Sequence, residues 1–409
     1  MATTANSQNT DRPIGPLAGI VVLDLTRVFS GPFAAQLLGD LGADVIKVER
    51  LGRGDESRDY GVDEGEVGPG APFLAHNRNK RSIAIDAKST EGRDVIRRLA
   101  ARADILLHNF RVGVMERLGL SYEELSRENP GLIYASISGF GSKGRMARRA
   151  ANDLSIQSFS GLLAITGEAD GGPVRNPSSV ADLTAGMYAT VGVLAALHHR
   201  DVTGRGQQVA TSMLGGQLNY INHFLTDYWL TGRLPGRWGT ANRLGLPNEA
   251  FPTSDGWVCI TSANDDMWHR CAAGLGIPEA GTDPRFATLK DRYANRTDLV
   301  ELLRSTTVRF TSAEVLERME KAGVPCVPVN DIPDIASDPI LEEIDAYVDM
   351  PAPGGRVARL IQTPLEFSDT PVTARLAPPA LAAHTDAVLA EAGYDEQAVQ
   401  ELRAVGAIA

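Results

Sequence analysis

At 409 residues the chain exceeds what one ordinary hydrophobic core organises, so two domains are the expectation. Its 43% hydrophobic and 22% charged residues are those of a soluble globular protein, and a net charge of −11 argues against nucleic acid as the main partner. No apolar run approaches the ~18 residues of a membrane span, so no membrane role is expected. Three cysteines (Cys259, Cys271, Cys326) without CxxC spacing, and seven histidines without HExxH, offer no metal site and fit a reduced, cytoplasmic compartment. His198 and His199 read as the end of a helix, interacting with its dipole. The polar opening, 1–16, lacks the apolar centre of a signal peptide and reads as a disordered lead-in.

GIVVLDL (Gly19–Leu25) is a short apolar run suited to a buried parallel strand. A turn through Gly31 and Pro32 leads into FAAQLLGDLGA, whose helical spacing sets Phe33, Leu37, Leu38 and Leu41 on one side. DVIKVE (Asp44–Glu49) is the second strand, which completes a βαβ unit with the expected right-handed crossover. SIAIDA (Ser82–Ala87) reads as the third strand. The helix after it is capped by Ser89 or Thr90 and buries Val95, Ile96 and Leu99. DILLHNF and LIYASISGFG supply the fourth and fifth strands, so the first 140 residues predict an open, doubly wound sheet.

From about Asn152 the texture is helical and rich in small residues. VADLTAGMYATVGVLAALHH carries Ala181, Ala185, Gly186, Ala189, Gly192, Ala195 and Ala196, a surface that another backbone can approach closely. QQVATS is a further strand. After Tyr228 a Gly-, Pro- and Arg-rich stretch reads as a linker into a second domain, which opens on GWVCITS. Strand and loop are expected from Gly354 to Pro379, then two short helices.

The turn after the first strand reads TRVFSGPF. It lacks GxGxxG, so the glycine cradle of a dinucleotide site is missing despite Glu49 at the end of the second strand. Basic residues recur near strand ends instead: Arg27, Arg50, Lys80 with Arg81, and Arg117. Carboxyl ends of strands in an open parallel sheet form the ligand crevice, and guanidinium forks match phosphate oxygens. Taken singly, each of these cations is equally a solvated surface charge. Asp182, in SSVADLTAGMYA, stands in the first turn of the small-residue helix, with Ser178 or Ser179 as its cap. The helix dipole there is expected to keep the carboxylate ionised. The plain alternative is a favourable first-turn acid. The functional reading is a carboxylate nucleophile beside a backbone-lined cavity.

Several stretches together carry a more specific signal: LAGIVVLDLTRVFSGPFAAQLLGDLGADVIKVER, NKRSIAID, HNFRVGVMERLGL, ADLTAGMYATVGVLAALHHRDVTGRGQQV and AHTDAVLAEAGY. Through them the chain closely resembles the class III CoA-transferase family, CaiB/BaiF, which includes formyl-CoA and carnitine CoA-transferases and α-methylacyl-CoA racemases. The resemblance runs from about Leu17 to the C-terminus. It implies an α/β fold: a Rossmann-like large domain with an open parallel sheet, a smaller second domain, and an interlocked homodimer. It also implies that coenzyme A or acyl-CoA is a substrate, with no tightly bound cofactor. Arg27, Val28, Arg50, Lys80, Asn109, Phe110 and Arg117 match its CoA-contacting positions, and Asp182 its essential aspartate.

Two departures bear on chemistry. His108 and Val112 replace the family's acidic residue and proline around Asn109–Phe110. Racemases place a histidine thirty residues before the aspartate, where this chain has Asn152, which cannot exchange a proton near neutral pH. The expected activity is therefore CoA transfer from an acyl-CoA donor to a free carboxylic acid through Asp182. A racemase or epimerase, and a non-catalytic CoA-binding subunit, are the alternatives. Asn152, Arg148 and Arg149 are candidate substrate-binding residues. Together with Arg145, the two arginines read either as a solvated basic loop or as the grip on a second carboxylate. The expected organisation is 17–228 for the first part of the large domain, 229–335 for linker and small domain, and 336–409 for a return to the large domain.

Overall fold

The computed structural model describes residues 15–61, 68–242, 245–353 and 355–409. Most of the expected lead-in, residues 1–14, and Gly354 lie outside them. Six strands form one parallel sheet: β1 Val21–Asp24, β2 Asp44–Glu49, β3 Lys80–Ala84, β4 Ile105–His108, β5 Ile133–Ser138 and β6 Gln208–Ser212. Their order is β3-β2-β1-β4-β5-β6, so the chain direction across the sheet reverses between β1 and β4. That reversal opens a crevice at the strand carboxyl ends.

Side chains alternate between two buried faces, as both-sided burial of a parallel sheet requires. Leu23, Ile46, Val48, Ile83 and Leu106 pack on one face with Val95, Ile96 and Leu99. Val22, Val45, Ile105, Leu107 and Ile133 pack on the other with Leu38, Val193 and Leu197.

Several expectations are corrected. The third strand spans Lys80–Ala84, and its pairing begins at Val45↔Lys80, so Lys80 and Arg81 belong to the strand. The supposed turn at Gly31 and Pro32 is the first turn of the helix Ser30–Asp40. Proline is tolerated there because a first-turn N–H has no intrahelical acceptor. Phe33 and Leu37 are only half-buried on this helix, while Ala34, Ala35 and Leu38 are fully enclosed. The small-residue helix runs past His198 and His199 to Thr203. By length and composition this helix, Val180–Thr203, could cross a membrane, against the reading that no such run exists; half of its most apolar window is buried in the protein.

The chain divides into two compact units. One holds the residues up to Leu162, Arg175–Arg233 and Glu342–Ala409; the other holds Leu163–Val174 and Leu234–Leu341. The expected first span, 17–228, took in the segment Leu163–Val174 that packs with the second unit. That unit has an antiparallel sheet of β7 Asn248–Pro252, β8 Trp257–Thr261 and β9 Cys326–Pro328. Its core is built on Trp268, Phe286, Leu299 and Leu303. A hairpin of β10 Tyr347–Ala352 and β11 Arg356–Ile361 belongs to the first unit.

Candidate active site

The crevice at the β1/β4 switch point is a cleft of about 430 Å³ within the first unit. Its wall after β1 is the loop Thr26–Phe29. Asn109, just beyond β4, clamps that loop: its side chain accepts from Arg27 N at 2.9 Å and donates to Arg27 O at 2.7 Å. The Arg27 guanidinium lies 4.9 Å from the centre of the Phe110 ring and 3.0 Å from Glu56. Val28 has φ +70°, in the left-handed region that a β-branched residue rarely enters.

Asp182 reaches the cleft through a close helix crossing. A Cβ at Gly186, one turn along, would sit 2.6 Å from Ser30 O, so only glycine lets the two helices approach this far. The approach brings Ser30 beside the Asp182 carboxylate, close enough for its backbone N–H and hydroxyl to favour the ionised form. Ser179 is the N-cap but makes no side-chain cap bond. The Asp153 carboxylate serves the helix instead: one oxygen accepts from Ala181 N at 3.0 Å, and the other from Gln157 at 2.6 Å and Arg175 at 3.3 Å.

Asp182 is less readily ionised than a first-turn acid would be. Burial first, then the neighbouring charge of Asp153, pushes its pKa from 3.8 up to about 7, against the hydrogen bonds from Ser30. His108 is buried too; desolvation lowers it to about 4 and keeps it neutral. Its ring stacks beside Phe110 with centroids 6.2 Å apart.

Of the residues singled out in the sequence, Arg27, Val28, Asn109, Phe110, Arg149, Asn152 and Asp182 line this one cleft. Asn152 does so from the N-cap of the helix Asp153–Ser160, where its oxygen accepts from Ser155 N at 2.9 Å and Ser155 Oγ accepts from Asn152 N. Arg50, Arg117 and Arg148 are exposed and lie outside the cleft lining. Lys80 is not at the cleft at all. Fully buried, it donates to Asp24 at 3.1 Å, Pro32 O at 2.9 Å and Asn77 at 2.9 Å. Its ammonium is spent on holding β3 to β1 and the helix between β1 and β2. Ser30 and Asp153 were missed as site residues. Ser30 is marked only by its place at the helix start, and Asp153 by its place in the first turn of its helix.

A doubly wound α/β unit with a basic-rimmed switch-point cleft that holds a half-buried carboxylate fits a protein that binds an anionic ligand. The family model of CoA-transferase family III matches residues 17–385, and the chain belongs to that family. It is 38% identical over 381 residues to a succinate–glutarate CoA-transferase of Agrobacterium fabrum, covering 92% of this chain and 95% of that protein. It is 33% identical to the human succinyl-CoA:glutarate CoA-transferase, covering 99% and 92%. A crystal structure of a CaiB/BaiF family protein from Brucella suis superposes with TM-score 0.85 at 37% identity, covering 93% of this chain and all of that one. The enzyme is a class III CoA-transferase, and its substrates are CoA thioesters and carboxylic acids.

Proposed function

We propose that the enzyme moves CoA between dicarboxylic acids through a covalent intermediate on Asp182. The observation that carries this reading is that Asp182 lines one cleft with Arg27, Asn109, Phe110 and Arg149. The carboxylate attacks the donor thioester carbonyl and expels CoA thiolate, leaving a mixed anhydride. The thiolate attacks the aspartyl carbonyl and releases the donor acid. The acceptor carboxylate then attacks this aspartyl thioester, the thiolate leaves, and its return to the acceptor acyl group regenerates Asp182. No net proton is consumed. The Ser30 N–H and hydroxyl, which lie beside the carboxylate and favour its charge, stabilise negative charge on the aspartyl oxygen at each tetrahedral stage. Arg27, Val28, Asn109 and Phe110 hold the CoA, and the exposed Arg50 and Arg117 take its phosphates.

Two relatives named for succinate and glutarate support a dicarboxylic acceptor. Arg149 is the cleft residue fitted to the second carboxylate. Assayed against a panel of acids with succinyl-CoA as donor, the enzyme should prefer dicarboxylates. Arg149→Met should raise KM for them about tenfold, the value of one charged hydrogen bond at a half-open site, and leave a monocarboxylic acceptor unchanged. Equal effects on both acid classes would remove Arg149 from specificity. The racemase alternative finds no support at Asn152, whose side chain caps a helix; an acyl-CoA incubated in heavy water should keep its α-proton.

The homodimer belongs to the same proposal. The helix Asn222–Thr231 buries none of its residues, and Trp229 and Leu230 are 73% and 79% exposed. Met187, Tyr188 and Val191 are exposed on the Asp182 helix as well. Apolar surface on this scale suits a second copy of the chain. Sedimentation at low micromolar concentration should give twice the 43.7 kDa chain mass, with unfolding and dissociation in one transition if the subunits interlock. A stable folded monomer would contradict it.

A further inference from the structure

The strained residue of the cleft wall is held by an ion pair that never reaches the ligand. Val28 N–H donates to Asp55, 3.1 Å from Oδ1 and 3.3 Å from Oδ2. The Asp55 carboxylate is fully enclosed and meets Lys47 Nζ at 2.8 Å, itself fully enclosed. Lys47 Nζ also donates to Thr26 O at 3.0 Å. A single buried pair thus grips the loop at both ends, at Thr26 and at Val28. Asp55 is tied down in turn by Ser57 N at 2.9 Å and Ser57 Oγ at 2.8 Å. Neither Lys47 nor Asp55 lines the cleft, while Arg27, Val28 and Ser30 all do.

A β-branched residue keeps a positive φ only where its surroundings over-determine it. Released from Asp55, Val28 would relax toward negative φ. The backbone would then swing at the joint two residues before Ser30, whose N–H and hydroxyl face Asp182. The helix Ser30–Asp40 itself is fixed by packing, so the loosened part is the join between the CoA wall and the helix start.

We propose that Lys47 and Asp55 are a positioning pair for CoA transfer. They hold Val28 in the left-handed conformation, and that conformation sets the CoA-binding wall and the Ser30 donors against Asp182. The inference rests on Asp182 as the reacting carboxylate. The Asp55 carboxylate accepts from Val28 N–H, Lys47 and Ser57 at once, since it offers about four lone-pair directions.

The test replaces the pair by uncharged residues, because a buried ion pair exchanged for apolar groups of similar volume leaves no orphan charge. Lys47→Met/Asp55→Leu should keep wild-type circular dichroism and oligomeric mass, yet lose at least 30-fold in kcat, with a smaller change in KM for acyl-CoA. Adding Val28→Gly should recover at least tenfold of that loss, because glycine adopts positive φ without being held. Lys47→Met/Asp55→Asn keeps an acceptor opposite Val28 N–H while removing both charges, and should retain most of kcat. Three outcomes would overturn the proposal: unchanged kcat in the Leu variant, a loss that Val28→Gly does not repair, or an Asn variant as impaired as the Leu variant. Should the Leu variant fail to fold, Lys47→Met/Asp55→Ala, which also removes the acceptor opposite Val28 N–H, takes its place with and without Val28→Gly: a kcat loss that Val28→Gly repairs supports the pair's role through Val28, and an unrepaired loss or no loss at all rejects it. Transfer by an Asp182→Ala enzyme would instead reject the nucleophile; the rescue is measured only in enzymes that retain Asp182, so the two failures are separable.

Discussion

Asp182→Ala should lower CoA transfer by roughly four orders of magnitude or more, the scale on which enzymes lose a covalent nucleophile, while the protein stays folded. Asp182→Asn should do nearly the same, because an amide does not attack a thioester. Wild-type enzyme incubated with a good acyl-CoA donor should be inactivated by hydroxylamine, and by borohydride through reduction of the aspartyl thioester. The modified peptide should carry its label on Asp182. Normal turnover in a clean alanine variant, or an unlabelled Asp182 during fast transfer, would replace the covalent route by a direct one.

The same residue fixes a pH signature. The attacking form is the carboxylate, and its pKa stands at about 7 in the fold. The ratio kcat/KM should therefore rise tenfold per pH unit below about 7 and level off above it. Stability runs the opposite way. Between about 4 and 7 the folded state keeps a proton that the unfolded state has released, so stability falls as pH rises through that window and stays reduced above it. Asp182→Asn should accordingly be more stable than wild type at pH 8. The rise from 3.8 to about 7 sets a ceiling on the order of 4 kcal/mol for the gain. A variant less stable than wild type at pH 8 would show that the site does not strain its nucleophile.

Asp40→Asn should cost about 3–5 kcal/mol, because it leaves a buried guanidinium without its counter-charge. Arg78 makes a bidentate pair with Asp40, at 2.9 Å and 2.6 Å, and both side chains are almost wholly enclosed. The cluster reaches further. Arg78 donates to Ile361 O at 2.7 Å, Asn79 donates to Asp40 at 2.8 Å and to Thr373 O at 2.9 Å, and Thr363 donates to Asp40. These bonds tie the C-terminal segment to the helix Ser30–Asp40 that carries the Ser30 donors. Urea denaturation should show a lower midpoint, and Arg78→Met/Asp40→Leu should lose less than the single variant. A midpoint shift worth under 1 kcal/mol would mean that water or another acceptor compensates Arg78.

The sequence by itself determined the sheet, because strand patterning is local: apolar runs such as Ile105–Leu107 need no partner to be recognised as buried on both faces. It also determined the kind of site. The missing glycine fingerprint after β1 turned the crevice away from dinucleotides, and the extended motifs around Arg27, Asn109 and Asp182 pointed to CoA. Local patterning also placed the small residues of the Asp182 helix without saying what would approach them. Only the tertiary structure supplied that, by setting Ser30 O against Gly186. It likewise decided the state of the charges. Lys80 and Arg27 look alike as basic residues near strand ends, yet one is sealed under the sheet by three acceptors and the other lines the cleft. Asp182 and Asp153 both look like ordinary first-turn acids. Helix position alone predicted an ionised Asp182, but desolvation and the distant-in-sequence charge of Asp153 raise its pKa despite the nearby Ser30. Desolvation and pairing depend on which groups the fold brings within a few ångströms, and periodicity carries no record of that.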